Sequence, residues 1–238
     1  MPLPKLRGWI LLPAALAAAA CADSPLAPDD AGAASRMRPS FIVSGTTFDD
    51  GLDPFSTARW SPQEHTLGRG PLLAANVQPY PGGVHLATSS AGFQGAEIAS
   101  REWYGWGVYT ARLSCGVPAG ALCAFFLYQG GARKADEIDI EVEGGTGRIY
   151  YTTWVQGRRT NSTSAVLADP AAFHDLEIEY RGDRVVFRVD GVEQVRFTRK
   201  LPTRAMLVMS NAWWPTWLTP AAGSAAGNLD LDRIVAGS

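Results

Sequence analysis

Residues 136–143, with the sequence DEIDIEVE, carry acidic side chains at alternate positions. Successive side chains of a β-strand point to opposite faces, so Glu137, Asp139 and Glu141 would share one face while the isoleucines between them face a core. Three carboxylates on one face repel each other, and Asp is disfavoured in strands, so fold stability gives little reason for this pattern. The segment therefore indicates a carboxylate site, although a charged solvent-facing strand or an adventitious Ca²⁺ patch would show the same alternation.

Paired carboxylates suit the hydrolysis of a glycosidic bond with retention of configuration. That reaction needs one carboxylate nucleophile and one protonated carboxylic acid, with the two carboxyl groups about 5–5.5 Å apart. The Cα atoms of Glu137 and Glu141 would lie roughly 13 Å apart on a straight strand, so we expect their side chains to lean together over a curved sheet. Asp139 lies between them, and like-charge repulsion is expected to raise the pKa of one carboxyl so that it can act as the acid.

Short strand-like runs separated by turn signals surround this segment from residue 41 onward, without a convincing long helical pattern. The runs are residues 84–87, 106–113, 124–128, 137–142, 148–155, 176–180, 184–189, 192–197, 205–210 and 229–235. The dipeptide Asp190-Gly191 is a strong signal for a two-residue hairpin turn. Many short strands at regular spacing predict an all-β fold, an antiparallel β-sandwich or jelly roll in which one sheet face forms a concave substrate cleft.

The composition agrees with a soluble globular protein rich in β-structure and argues against a nucleic-acid partner. The chain has 238 residues, a hydrophobic fraction of 46%, 25 Gly, 16 Pro and eight Trp. Frequent turn residues and aromatics with few helical patterns favour an all-β domain, which we place at residues 41–238. The net charge of −2 gives no basic field, so no nucleic-acid partner is expected.

The first forty residues have the character of an export segment and a tether. Residues 1–20 contain two basic residues followed by an apolar run that ends in small residues, which predicts a signal peptide. The small residues before Cys21 resemble a bacterial lipobox, which would make Cys21 the lipid attachment site, although an ordinary secretory signal fits as well. Residues 21–40, rich in Ala, Pro, Asp and Ser, predict a flexible tether. We therefore expect an exported protein, either lipid-anchored to a bacterial membrane or secreted.

The chain has three cysteines, an odd number. If Cys21 carries lipid, Cys115 and Cys123 remain as a pair that flanks the turn-like residues 116–120. An oxidising compartment would allow a disulfide between them, whereas two buried free thiols are the alternative.

The acidic segment also resembles the signature of a known family. Residues 137–141, EIDIE, are similar to the motif of glycoside hydrolase family 16, in the form without an inserted residue that is typical of lichenases and xyloglucan transglycosylases. The similarity covers about residues 45–235. The companion segments are residues 104–112, 125–128, 173–180, 189–191 and 210–213.

The resemblance implies a jelly roll with a long concave cleft and a retaining, endo-acting β-glycosidase that cleaves β-glucan-type polysaccharides. It assigns Glu137 as the nucleophile, Glu141 as the general acid/base and Asp139 as the assisting carboxylate. It implies no cofactor for catalysis, and we expect a monomer whose partner is the polysaccharide and whose contact with a membrane is limited to the lipid anchor.

Further site residues follow from the resemblance. Asn211 and Trp213 would contact sugar near the cleavage point, and Tyr128 and Trp154 would line the cleft from strands beside the motif. A flat indole can stack on the C–H face of a sugar and bind it through the ring N–H, although each Trp also fits a core position. Asp230 matches the position of an Asp that often helps to bind a structural Ca²⁺.

The sequence departs from lichenases around the intact triplet. Ala135 replaces a Trp, Thr152 replaces an Asn near the sugar, and Thr110 replaces a Glu. The sugar and linkage of the substrate are therefore left open. So are three alternative functions: a transglycosylase with the same intermediate, a non-catalytic carbohydrate-binding jelly roll, and a structural surface lipoprotein. Two glutamates at this spacing argue against a lectin, which has no use for two repelling carboxylates.

Overall fold

The computed structural model describes residues 48–130, 134–220, 222–223 and 225–237. The predicted signal peptide, the tether and Cys21 lie outside the described residues, and their roles stay predictions. Within the described ranges, no helix is long and apolar enough to cross a membrane.

The described chain is built almost entirely of β-strands. Their bounds are β1 (Phe48–Asp50), β2 (Trp60–Pro62), β3 (His65–Leu67), β4 (Gly70–Leu72), β5 (Val77–Tyr80), β6 (Gly83–Ser89), β7 (Ala96–Ser100), β8 (Gly107–Cys115), β9 (Leu122–Gln129), β10 (Asp136–Glu143), β11 (Arg148–Val155), β12 (Arg158–Val166), β13 (His174–Tyr180), β14 (Val185–Val189), β15 (Val192–Phe197), β16 (Leu207–Trp213) and β17 (Ala226–Gly237). Two short 3-10 turns, Ala74–Asn76 and Ala91–Phe93, precede β5 and β7.

The strands form two antiparallel sheets and one small hairpin. The eight-stranded sheet has the order β15-β14-β13-β8-β17-β6-β5, with β1 also paired to β17. The seven-stranded sheet has the order β12-β11-β10-β9-β16-β7-β2, and β3 pairs with β4. Half of the neighbouring pairs join strands that are not consecutive in the chain, as is typical of a jelly roll, and the predicted all-β antiparallel sandwich is confirmed.

The core lies between the two sheets and explains the alternation in the sequence. Ile138 and Ile140 on β10 are fully buried, and they join one apolar cluster with Ile178 on β13 and Phe187 on β14. Residues of β10 between these isoleucines must point away from the core, because the side-chain period of a strand is two. Burial of the isoleucines in the core thus places the carboxylates of β10 on the outer face of the sheet.

The predicted hairpin and a strand at each predicted run are present, whereas seven strands were not predicted: β1–β5, β7 and β12. Asp190 and Gly191 both have positive φ, 50° and 76°, as the two-residue turn between β14 and β15 requires. β12 was missed because its residues are mostly polar and exposed, so it lacks the alternation that a half-buried strand shows.

Cys115 and Cys123 form a disulfide in the structure, with their Cα atoms 5.8 Å apart. Cys115 ends β8 in the eight-stranded sheet, and Cys123 lies in β9 of the seven-stranded sheet. The disulfide therefore links the two layers of the sandwich, and it does so at β9, the strand next to β10.

Candidate active site

The acidic strand β10 lies inside the seven-stranded sheet, between β9 and β11. Glu137, Asp139 and Glu141 point away from the sandwich core, and we call them the carboxylate row. Glu137 is only 7% exposed and Asp139 only 5%. The row therefore lies in a recess and not on an open solvent face, where three carboxylates would be well hydrated.

Side chains of neighbouring strands form the floor of this recess. Phe126 on β9, Met209 on β16 and Ala99 on β7 lie on the same outer face as the row and pack together. They are nearly as inaccessible as core residues, with Phe126 at 2% and Met209 at 4% exposure. This part of the outer sheet face is therefore shielded from water, and the predicted concave cleft stays a prediction.

The start of β10 is held in place by Asp136. Its carboxylate accepts hydrogen bonds from the Arg204 Nε at 2.9 Å and from the backbone N–H of Gln156 at 2.9 Å. These bonds tie the strand to the turn after β11 and to the segment before β16. The backbone next to Glu137 is therefore fixed by a buried, charge-assisted contact.

Asp139 is the most heavily hydrogen-bonded member of the carboxylate row. The indole N–H of Trp154 donates to its Oδ2 at 3.1 Å, and Thr152 also bonds to it. Both partners lie on β11, directly opposite Glu137 and Asp139 respectively. Asp139 also shares a hydrogen bond with Glu137, and that bond lowers the pKa of Glu137 and raises the pKa of Asp139. This sign means that Asp139 is the donor and Glu137 the ionised acceptor.

Burial raises the pKa of every carboxyl in the row. It raises the pKa of Glu137 to about 8, with the charge of Glu141 adding to the effect, and the pKa of Glu141 to about 7. The pKa of Asp139 is also well above its usual range, first by burial and then by repulsion from both glutamates. Loss of hydration is thus the main cause, whereas the sequence had suggested like-charge repulsion.

No cation compensates the row within the described residues. None of the ion pairs there joins Lys, Arg or His to Glu137, Asp139 or Glu141. Burial raises both pKa values, and the hydrogen bond from Asp139 is the contact that favours the ionised form of Glu137. Protons on Asp139 and Glu141 with an ionised Glu137 give an anion and an acid on one strand face, as a double displacement requires.

A second polar group lies on the same outer face, and sequence reasoning missed two of its members. Glu97 on β7 is only 1% exposed. Its Oε1 is 3.0 Å from His65 Nε2, and its Oε2 accepts a 2.9 Å hydrogen bond from Asn211 Nδ2. The only sequence signal for this group was an acidic residue between alanine and isoleucine in a buried strand.

The predicted sugar-contact residues differ in their surroundings. Tyr128 is opposite Glu137 on β9, and burial raises the pKa of its phenol. Trp154 is half-buried beside the row, and its N–H binds Asp139, while its contact with a sugar stays a prediction. Trp213 is 6% exposed and packs with Leu122. Asn211 faces the recess with its Oδ1 unpartnered within the described residues.

Asp230 lies on β17 of the eight-stranded sheet, whereas the carboxylate row lies on the seven-stranded sheet. Its Oδ1 is 2.5 Å from His85 Nδ1. Ca²⁺ takes six to eight oxygen ligands. The side chain that contacts Asp230 is an imidazole, which supplies no oxygen ligand. No group of three or more His, Cys, Asp or Glu suited to a metal occurs in the part of the chain that the structure describes. The Ca²⁺ prediction is therefore without support from side chains.

The fold and the row together define a jelly-roll protein with the paired carboxylates that glycosidic chemistry needs. The chain belongs to the glycosyl hydrolases family 16, whose model matches residues 72–230. This confirms the family that the EIDIE segment suggested.

Two relatives show the level of similarity. A "Beta-glucanase" of Acetivibrio thermocellus is 28% identical over 159 residues, which are 65% of this chain and 46% of that protein. The "Endo-1,3-1,4-beta-glycanase ExoK" of Rhizobium meliloti is 30% identical over 153 residues, 60% of this chain and 57% of that protein. The chain spans about half the length of these curated relatives.

Among solved structures, a prokaryotic β-1,3-1,4-glucanase (lichenase) from a mouse hindgut metagenome superposes with a TM-score of 0.74. It is 24% identical, and the match covers 81% of this chain and 99% of that one. At this identity the comparison establishes the shared fold.

Proposed function

We propose that this protein is a retaining endo-β-glycosidase that hydrolyses β-glucan-type polysaccharides. The observation that carries the proposal is the row of three carboxylates, in which Glu137 and Asp139 are buried and Glu141 is half-buried, and to which no Lys, Arg or His of the described residues is paired. Burying such charges is costly, so a sequence keeps them where their raised pKa values serve a reaction. Relatives named as β-glucanase and endo-1,3-1,4-β-glycanase support β-glucan as the substrate class.

In the first step, the ionised carboxylate of Glu137 attacks the anomeric carbon of the sugar. Glu141 donates its proton to the glycosidic oxygen as that bond breaks, so the leaving sugar departs as a neutral alcohol. The hydrogen bond from Asp139 holds Glu137 in its ionised form before the attack. The products of this step are a glycosyl ester on Glu137 and an ionised Glu141.

In the second step, Glu141 acts as a base. It takes a proton from a water molecule while the water oxygen attacks the anomeric carbon, which releases Glu137 as a carboxylate. Two inversions at the same carbon give net retention. The floor of apolar side chains around Phe126 and Met209 limits the hydration of the row and keeps the pKa of Glu141 high enough for its acid role.

Glu137→Gln tests the proposal with little change of shape. We expect hydrolysis of soluble mixed-linkage β-glucan, measured by reducing ends, to fall by about 10³-fold or more, because an amide cannot form the glycosyl ester. Glu177→Gln is the matched control, since Glu177 lies on the other sheet and pairs with Arg188. Equal activity of the two variants would remove Glu137 from the mechanism.

A further inference from the structure

The hairpin formed by β3 and β4 brings His65 to the edge of the recess. The side chain of His65 is 9% exposed and that of Glu97 is 1% exposed. Burial lowers the pKa of His65, but its hydrogen bond and attraction to Glu97 outweigh this, and the pKa is raised above the ordinary value. Contact with the Glu97 carboxylate therefore favours the protonated form of His65.

The hairpin itself is rigidly attached. The guanidinium of Arg69 donates to the carbonyl oxygens of Pro215 at 3.0 Å, Thr216 at 2.9 Å and Leu218 at 2.9 Å. These bonds tie the turn of the hairpin to the segment that follows β16. His65 thus approaches Glu97 from a fixed support, and its position does not depend on the Glu97 contact alone.

Asn211, the second hydrogen-bond partner of Glu97, has an acceptor atom without a donor among the described residues. Glu97 fixes the amide of Asn211 by accepting from its Nδ2, and this leaves Asn211 Oδ1 buried and unpartnered among the described residues. A buried acceptor without a donor is unfavourable, and a ligand hydroxyl would satisfy it.

The register places this acceptor within reach of a sugar chain. Asn211 is opposite Ala124 on β9, and Ala124 is opposite Glu141 on β10. Adjacent strands are about 4.8 Å apart, so Asn211 lies about 10 Å from the Glu141 backbone across the sheet. A polysaccharide that crosses the strands at Glu141 would therefore pass over Asn211 and Glu97 within a few sugar units.

We propose that His65 is a positioning residue, which holds Glu97 so that Glu97 and Asn211 present a fixed hydrogen-bonding edge to the hydroxyls of a sugar beside the carboxylate row. The inference rests on the proposed function. Without His65, the buried carboxylate of Glu97 loses one of its two hydrogen-bond contacts described above, and it turns towards water. The amide of Asn211 then loses its orientation, and sugar binding weakens without a change in the reacting groups.

Steady-state kinetics on soluble mixed-linkage β-glucan separate this role from a structural one. We expect His65→Leu to raise KM about tenfold with kcat within about twofold of the original, because binding in the ground and transition states is lost equally. His65→Gln keeps a donor near the Nε2 position and should restore KM to within about twofold. Thr66→Ala, an exposed neighbour on the same hairpin, should behave as the unmodified protein.

The proposal is overturned if KM is unchanged in His65→Leu, if His65→Gln is as defective as His65→Leu, or if the loss falls on kcat. An unmodified protein that leaves β-glucan intact contradicts the proposed function instead. In that case a crystal structure of His65→Leu tests whether His65 positions Glu97. We expect the Glu97 carboxylate to lose its contact with Asn211. Retention of the 2.9 Å contact would contradict the positioning role.

Discussion

Two strands of this protein have the same alternation of acidic and apolar residues but opposite electrostatics. On β10, Glu137 and Glu141 lie in a recess without an ion pair among the described residues, and burial raises both pKa values. On β13, Glu177 binds Arg188, and Glu179 binds Arg188 at 2.7 Å and Arg184 at 2.7 Å.

The two strands therefore differ in what their carboxylates do for the fold. The hydrogen bond from Arg188 is the largest cause of the lowered pKa of Glu179, and Arg184 adds to it. Ionised Glu179 thus stabilises the folded state, whereas ionised Glu137 and Glu141 destabilise it. The comparison shows that an acidic alternation has raised pKa values where the described residues of neighbouring strands supply no paired cation, and lowered values where they do.

Glu141→Ala should produce the largest kinetic contrast among the remaining variants. With a natural glucan we expect activity to fall by about 10³-fold, because the leaving sugar then departs without a proton. Activity should normally decline above about pH 7 as Glu141 loses its proton. With an activated aryl leaving group, this alkaline limb should flatten in Glu141→Ala, as a pH–rate profile would reveal. An unchanged limb would move the acid role to another group.

The pH dependence of stability should differ in sign between the strands. The raised pKa of Glu137 makes the folded state bind more protons than the unfolded state, so its destabilising effect grows from about pH 4.5 to about pH 8. Glu137→Gln should therefore raise the free energy of unfolding by about 1–3 kcal/mol at pH 8.5 and leave it unchanged near pH 4. Denaturant titrations at both pH values measure this.

Glu179→Gln is the opposite case. A lowered pKa contributes stability that is present above the unfolded value of about 4.5 and is lost as the pH falls through the folded value. We expect a loss of about 1 kcal/mol at pH 7 and a smaller loss at pH 3, because the pairs with Arg184 and Arg188 are partly screened. A loss at pH 8.5 from Glu137→Gln as well would show that the two strands are electrostatically alike.

Trp154→Phe should have a smaller kinetic effect than Glu141→Ala. It keeps the ring but removes the N–H that binds Asp139 Oδ2 at 3.1 Å. We expect kcat to fall about tenfold, since one oriented hydrogen bond to the row is lost. Trp106→Phe is a control, because Trp106 is an exposed indole outside β9–β11. Similar kinetic losses in both variants would argue against a specific role for the Trp154 N–H.

Much of the fold was predictable because its signals are local. The strict alternation gave β10 its bounds to within one residue, and Asp190-Gly191 gave the β14–β15 turn. The pairing of Glu177 with Arg188 could also have been predicted from the sequence, because these residues are opposite each other across one short hairpin.

The rest of the site depends on contacts between distant parts of the chain. Glu97 meets His65 across 32 residues and Asn211 across 114 residues, and neither distance can be read from a local pattern. The hydrogen bond between Trp154 and Asp139 was missed for a similar reason. Its N–H faces Asp139 because of the β10–β11 register, which places Trp154 opposite Glu137.

The anomeric form of the first product tests the central claim most directly. Proton NMR of early β-glucan hydrolysis, recorded before mutarotation, should show the β-anomer, since Glu137 and Glu141 on one strand act by two successive inversions. An initial α-anomer would mean that water attacks directly, and it would contradict the assignment of Glu137 as the nucleophile.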